Sequence, residues 1–147
     1  MSAESLSGRI EAGEHVLPLR VYYEDTDAAG IVYHANYLKF AERGRTDFLR
    51  LLGVDQSEMA RRERLAFAVR DCTVSFKAPA RLDDLIEVRS RLLDLKGATL
   101  RAEQAIRRSG QELANLAVRV ACVTLEGRPV RIPQSLQRAL DPFLIPA

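Results

Sequence analysis

The sequence predicts an α+β domain in which one antiparallel sheet packs on one long helix. Three observations lead there. Apolar residues recur at helical spacing between His34 and Leu52, and they alternate with period two in four segments between Leu65 and Leu125. Short turns join the last three of these segments, which makes them an antiparallel meander. A run of strands with a single long helix is the pattern of α+β rather than α/β folds.

Taken in order, residues 1–14 are polar and rich in Gly, Ser and Glu, and read as a flexible N-terminus before a single domain over residues 15–147. His15 to Glu24 alternates Val16, Pro18, Arg20 and Tyr22 against Leu17, Leu19, Val21 and Tyr23, a strand with Pro18 near its start. A turn-rich piece, Asp25 to Gly30, leads to the helix, whose stripe is Tyr37, Phe40, Ala41, Gly44, Phe48, Leu51 and Leu52. Ala41 and Gly44 allow close approach to a sheet, Arg43 and Asp47 are spaced for an i,i+4 ion pair, and Gly53 is the stop. Gln56 to Arg64 reads as a further helical turn. The strands are Leu65 to Lys77, ended by Pro79, then Leu85 to Leu95, Ala98 to Arg108 and Glu112 to Leu125, with turns at Lys96-Gly97 and Ser109-Gly110. A short helix, Pro133 to Leu140, has proline at its start. Such a sheet leaves open edges, and self-association is the expected way to cover them.

Composition narrows the function. The chain has 147 residues, 22 basic against 20 acidic side chains, a formal charge of +2 and 47% hydrophobic content. A chain of this size buries about 70% of its unfolded surface and needs no staple. Two cysteines, Cys72 and Cys122, and two histidines make neither a disulfide framework nor a zinc cluster. No apolar run approaches a membrane span, since Leu113 to Leu125 is broken by Asn115, Arg119 and Thr124, and the start lacks the pattern of a signal peptide. A cytoplasmic location with both thiols reduced is the expectation. Of the 22 basic residues only Lys39, Lys77 and Lys96 are lysines. Arginine suits phosphate contacts, but the flat charge balance and 6% aromatic content argue against nucleic acid as a partner.

The chemistry concentrates in Tyr22-Tyr23-Glu24-Asp25-Thr26-Asp27-Ala28-Ala29-Gly30-Ile31-Val32-Tyr33-His34-Ala35-Asn36-Tyr37. Three carboxylates in four residues and a histidine seven after Asp27 lie where a strand end meets a helix start. Such a junction offers unpaired N–H groups that stabilise an oxyanion, and a nearby carboxylate serves as general base or nucleophile. Simpler roles compete at each residue. Asp25 and Asp27 are also good turn formers, His34 a good helix-start residue, and the tyrosines good packing residues. The acidic cluster lacks the companion motif of a Mg²⁺ site.

The run VYYEDTDAAGIVYHANYLKFAERGRTDFL closely resembles the signature of the hotdog-fold acyl-CoA thioesterases of the 4-hydroxybenzoyl-CoA class, and most of all their Tol-Pal-associated branch. The resemblance implies a hotdog fold, a five-stranded antiparallel sheet wrapped around one long helix, in homodimers or homotetramers with active sites at the dimer interface. It implies hydrolysis of acyl-CoA without metal or bound cofactor, coenzyme A entering as part of the substrate, with acyl carrier protein a further partner. It places the catalytic acid at Asp27, with His34 and Tyr23 beside it and the carbonyl-polarising N–H at or next to His34. Substrate contacts are expected from Gly30, Val32 and Tyr33, and from Phe40, Phe67 and Val69 in the acyl pocket. Arg70, Lys77, Arg81, Lys96 and Arg107 or Arg108 are the candidates for the coenzyme phosphates. A second type of hotdog thioesterase uses a helix carboxylate. Glu42 would fill that role here, but it lies about 12 Å along the helix from His34 and is expected instead in an ion pair with Arg43 or Arg45. The alternative function is a scaffold that binds acyl-CoA or acyl carrier protein without turnover.

Overall fold

A computed structural model of the chain describes residues 6–145. Its sheet has six antiparallel strands: β1 (Arg9–Glu11), β2 (Glu14–Arg20), β3 (Leu65–Phe76), β4 (Leu85–Lys96), β5 (Thr99–Arg108) and β6 (Gln111–Thr124). The spatial order is β1-β2-β4-β5-β6-β3. The meander β4-β5-β6 is the predicted one. The sixth strand is a correction to the expected five, and to the expected looseness of residues 1–14. Arg9–Glu11 pairs with Glu14–Val16 through a two-residue turn, Ala12-Gly13, in which both residues have positive φ. Alanine is rare in that conformation, so the turn carries no sequence signal. Residues 1–5 lie outside the described part.

The long helix α1 (Asn36–Leu51) packs on one face of the sheet, against β2, β4 and β5. It ends as Gly53 predicts, with Val54 N–H donating to Leu49 C=O and Gly53 N–H to Arg50 C=O. Its buried face is Asn36, Tyr37, Phe40, Ala41, Gly44, Phe48 and Leu49, so Leu49 takes the place expected of Leu51 and Leu52. Asp47 pairs with Arg50 at 2.7 Å, not with Arg43. The helix splits the core in two. Around its first half lie Leu17, Val21, Phe40, Ile86, Val88 and Ile106; around its last turn lie Leu49, Leu92, Leu100, Cys122, Ile132 and Leu140. The short helices α2 (Gln56–Arg62), capped by the Asp55 carboxylate, and α3 (Gln134–Leu140) flank the second cluster.

Strict alternation fails in β3. Val69 pairs with Val120 and Asp71 with Arg119, leaving Arg70 as a bulge. The extra residue flips the faces, so Leu65 and Phe67 before it and Cys72 and Val74 after it all pack inward. Both cysteines are free, and burial pushes their thiols up. No helix among the described residues is long and apolar enough to cross a membrane.

His15 is fully buried on β2, stacked on Phe48 at 5.2 Å, with Nε2 bonded to the Ser7 carbonyl at 2.7 Å and Nδ1 unpartnered. Burial lowers its pKa, against smaller opposite effects from the Ser7 carbonyl and Asp47. The unfolded chain therefore takes up this proton first as pH falls, and stability contributed by neutral His15 is lost below the ordinary histidine pKa of about 6.5. Urea denaturation from pH 7.5 to 5 should show that loss, and His15→Phe should flatten it. An unchanged slope would mean that His15 does not carry the effect.

Candidate active site

The strand expected to reach Glu24 stops at Arg20, and the chain turns through a single 3₁₀ turn, Tyr23–Asp25. Asp25 organises the loop that leads from this turn to the helix. Its carboxylate accepts Tyr22 N–H at 2.8 Å, and its carbonyl accepts both Tyr33 N–H at 3.0 Å and the Asn36 side-chain amide at 2.8 Å. The two ends of the loop are thereby clamped to the start of α1. Between them Asp27 to Gly30 forms a tight turn. Gly30 N–H donates to Asp27 C=O at 3.0 Å, Asp27 N–H to Ile31 C=O at 2.9 Å, and Gly30 sits at φ +78°, where a side chain would be strained.

Asp27 Oδ1 accepts Ala29 N–H at 2.8 Å, while Oδ2 has no partner among the described residues and the side chain is exposed. Both aspartates thus act as turn formers with one carboxylate oxygen engaged; they differ in exposure, Asp25 being half-buried under the clamp and Asp27 exposed at the turn. Beyond the loop, Asn36, Tyr37 and Leu38 N–H donate to Tyr33, His34 and Ala35 C=O, which leaves His34 and Ala35 N–H without an acceptor among the described residues. A negatively polarised oxygen fits these two donors at the positive end of a helix.

Supports hold the loop from beneath. Val32 N–H donates to Ala80 C=O at 2.8 Å, and Ala80 N–H donates to the buried Tyr37 Oη at 3.0 Å. Val32 is 3% exposed and belongs to the core, so its side chain does not face substrate as expected. The reason is its place under the turn, paired by a bridge to Thr26. Phe40, 1% exposed, is likewise a core residue and not a pocket wall. The His34 ring lies against Tyr33 at 4.5 Å and Phe76 at 6.3 Å between centroids, and makes no hydrogen bond to Asp27. Tyr23 is 82% exposed. Among the described residues no three of His, Cys, Asp and Glu converge as ligands of a metal ion would.

A cavity of about 290 Å³ opens between the second half of α1 and the sheet. Phe67 and Val69 line it, as expected for an acyl pocket, with Phe48, Leu49 and Leu92. The polar wall comes from Glu42, Arg45, Thr46, Gln56 and Arg91. Glu42 is exposed and forms no salt bridge with Arg43 or Arg45, contrary to the ion pair expected of it; Arg45 bonds Gln104 instead.

The sequence profile of the thioesterase-like superfamily matches residues 21–140, from the end of β2 to the end of α3. The chain belongs to that superfamily. Acyl-CoA thioesterase YbgC of Haemophilus influenzae is 44% identical over 123 residues, spanning 83% of this chain and 90% of that protein. Acyl-CoA thioester hydrolase YbgC of Escherichia coli O6:H1 is 46% identical over 121 residues, 81% of this chain and 90% of its own. The crystal structure of a probable thioesterase from Bartonella henselae superposes with a TM-score of 0.79 at 40% identity, covering 82% of this chain and 99% of that one. The sheet and its central helix are a thioesterase hotdog, with the short β1 added to the expected five strands.

Set in this thioesterase fold, the predicted residues fall in two places. Asp27, Gly30, Tyr33 and His34 cluster where the loop meets α1, and Phe67 and Val69 lie at the cavity toward the far end of the helix. Two features escaped sequence reasoning. Asn36 and Tyr37 hold the loop, and Arg45 sits on the cavity wall. Asn36 at a helix start was a legible signal; Arg45 was not, because it lies between charged and stripe positions of the helix.

Proposed function

We propose that this thioesterase hydrolyses acyl-CoA thioesters to free acid and coenzyme A with Asp27 as general base or nucleophile. The observation that carries the reading is the Asp27 carboxylate, held through one oxygen and free at the other, on a loop clamped to a helix start with two unbound N–H groups. The thioester carbonyl accepts from His34 and Ala35 N–H, which stabilises the oxyanion as water, or Asp27 itself, adds to the carbonyl carbon. The C–S bond then breaks and the carbonyl reforms; in the base route the thiolate takes the proton that Asp27 removed from the attacking water, and in the direct-attack route it takes one from solvent. In the direct-attack route a water hydrolyses the resulting anhydride and regenerates Asp27. His34 and Tyr23 orient the acid, the water or the leaving thiolate.

The site is completed by a second copy of the chain. Among the described residues β3 is hydrogen-bonded on one side only, to β6, and this edge strand carries Val69 at 51% and Phe76 at 53% exposure. Such an edge is a template for another strand. Phe76, at one end of β3, touches His34, whereas Phe67 and Val69, toward the other end, line the cavity. Antiparallel pairing of β3 with its own copy brings the Asp27 loop of each subunit toward the cavity of the other, and the acyl group lies in that cavity. The homodimer, with tetramers as its further association, thus explains why the two clusters of site residues are far apart in one chain.

For the coenzyme phosphates, Arg81 is the best placed candidate. It bridges Ile31 beside Gly30, whereas Lys77 is paired with Glu112, and Arg108 with Asp84 at 2.6 Å. A second reading, with Glu42 as the catalytic carboxylate, is favoured by its place on the cavity wall. Thiol release from short, long and aromatic acyl-CoAs tests the hydrolase reading. Release with at least one is expected; binding without release from any would make the protein a scaffold.

A further inference from the structure

The cavity wall holds a charged group that neither the fold nor the hydrolysis uses. Arg45 is partly buried, and its Nη1 donates to Gln104 Oε1 at 3.0 Å. Gln104 is itself fully buried, its amide nitrogen donating to Ala41 C=O at 2.9 Å and Ser90 Oγ at 2.9 Å. The guanidinium is therefore held in place by a neutral amide. Among the described residues its one side-chain hydrogen bond is this one, and no carboxylate forms a salt bridge with it. Burial works against its charge, with Glu42 and Cys72 offsetting this only at longer range.

A guanidinium carries five N–H donors, and a cation facing a largely apolar space is costly unless an anion meets it. Arg91 also borders the cavity, but alternation along β4 turns its exposed side chain to the other face of the sheet, with Nε 4.0 Å from Glu14. The Arg45 guanidinium, the Thr46 hydroxyl and the Gln56 amide that donates to it at 3.3 Å share the cavity wall with one carboxylate, the exposed Glu42. At about 30 Å³ per water-sized group, the space takes roughly ten non-hydrogen atoms.

We propose that the cavity selects acyl groups that end in a carboxylate, the mono-coenzyme A thioesters of dicarboxylic acids of about six to eight carbons, a length set by that volume. Arg45 pairs with the distal carboxylate, a fork matched to two oxygens, while the apolar walls hold the methylene chain. The inference rests on the proposed placement of the acyl group in this cavity.

The test compares kcat/KM, by thiol release, for dicarboxylyl-CoAs and methyl-terminated acyl-CoAs of equal length. Alongside it, the melting temperature is followed with free octanedioate or octanoate. The expected result is a preference of tenfold or more for the carboxylate-ended thioester at some length in this range. The ratio should be inverted in Arg45→Gln and partly kept in Arg45→Lys. Because Gln and Lys both retain a donor for Gln104, circular dichroism should show both folded. A preference for the methyl-terminated series at every length, or equal loss of both series in Arg45→Gln, would overturn the inference and leave the hydrolase reading standing. If neither series is hydrolysed, that reading fails, and the melting data decide the inference: stabilisation by octanedioate that requires Arg45 supports it, and none overturns it.

Discussion

Replacing Asp27 by Asn should lower kcat for acyl-CoA hydrolysis by two or more orders of magnitude while the protein stays folded. The expectation separates two roles of one side chain. As a turn former, Asp27 needs only an oxygen to accept Ala29 N–H, and asparagine supplies it. As a base or nucleophile it needs the negative charge on the free oxygen, which asparagine lacks. Positioned acid–base groups contribute about 10²–10⁴ in rate, so the loss is about 3–5 kcal/mol of barrier. The melting temperature should move by no more than a few degrees. Asp25→Asn is the control two residues away, since Asp25 has its carboxylate engaged with Tyr22 N–H; its kcat should stay within a few-fold. Activity retained in Asp27→Asn and lost in Glu42→Gln would transfer the catalytic role to the helix.

The largest effect on stability is expected at Gly44. In an exposed helix, Gly→Ala stabilises by about 1 kcal/mol. At Gly44 a Cβ would lie 2.7 Å from Val88 Cγ1, 3.1 Å from Gln104 Nε2 and 3.3 Å from Ser90 Oγ. The helix crosses the sheet there with only a hydrogen atom between them. Overpacking costs about 1–3 kcal/mol, and a shift of Gln104 that breaks its bonds to Ala41 and Ser90 adds about 1–3 more for buried groups left unpaired. Gly44→Ala should therefore be net destabilising despite its helix propensity. Gly44→Val should lose several kcal/mol of a total that for such domains is about 5–15. Urea denaturation gives the sign directly. A stabilised Gly44→Ala would mean that helix and sheet are not in contact at this point.

Much of this fold is written in local periodicity, which is why the long helix, the meander and their turns were legible. Gly44 announced close packing by its smallness on an apolar stripe. What was not legible depends on contacts between distant segments. The bulge at Arg70 flips the faces of β3 and has no residue signature, because arginine is ordinary in a strand. The Ala12-Gly13 turn hid β1. In the site, the acidic run and His34 are legible as one loop, the loop that carries the proposed catalytic acid, but Asp25 and Asp27 look alike in sequence. Only the structure distinguishes them: the half-buried Asp25 clamps the loop through its carboxylate and its carbonyl, while Asp27 stands exposed at the turn. The misplacement of Val32 has the same origin, since within a loop the residue that turns under it is set by pairing with Ala80. Arg45 gained its interest only when Gln104, 59 residues away, proved to hold it.

In the proposed dimer each active site joins the Asp27 loop of one subunit to the cavity of another. Mixing two inactive variants tests it most directly. Asp27→Asn lacks the acid, and Val69→Trp fills the cavity from an exposed position on β3. After unfolding and refolding together in equal amounts, half of the dimers are mixed, and one of the two sites in each has both an intact Asp27 and an open cavity. Recovery to about a quarter of wild-type activity is expected from two preparations that are nearly inactive alone, with both shown dimeric by light scattering. No recovery from mixed dimers would place acid and cavity in the same chain and contradict it.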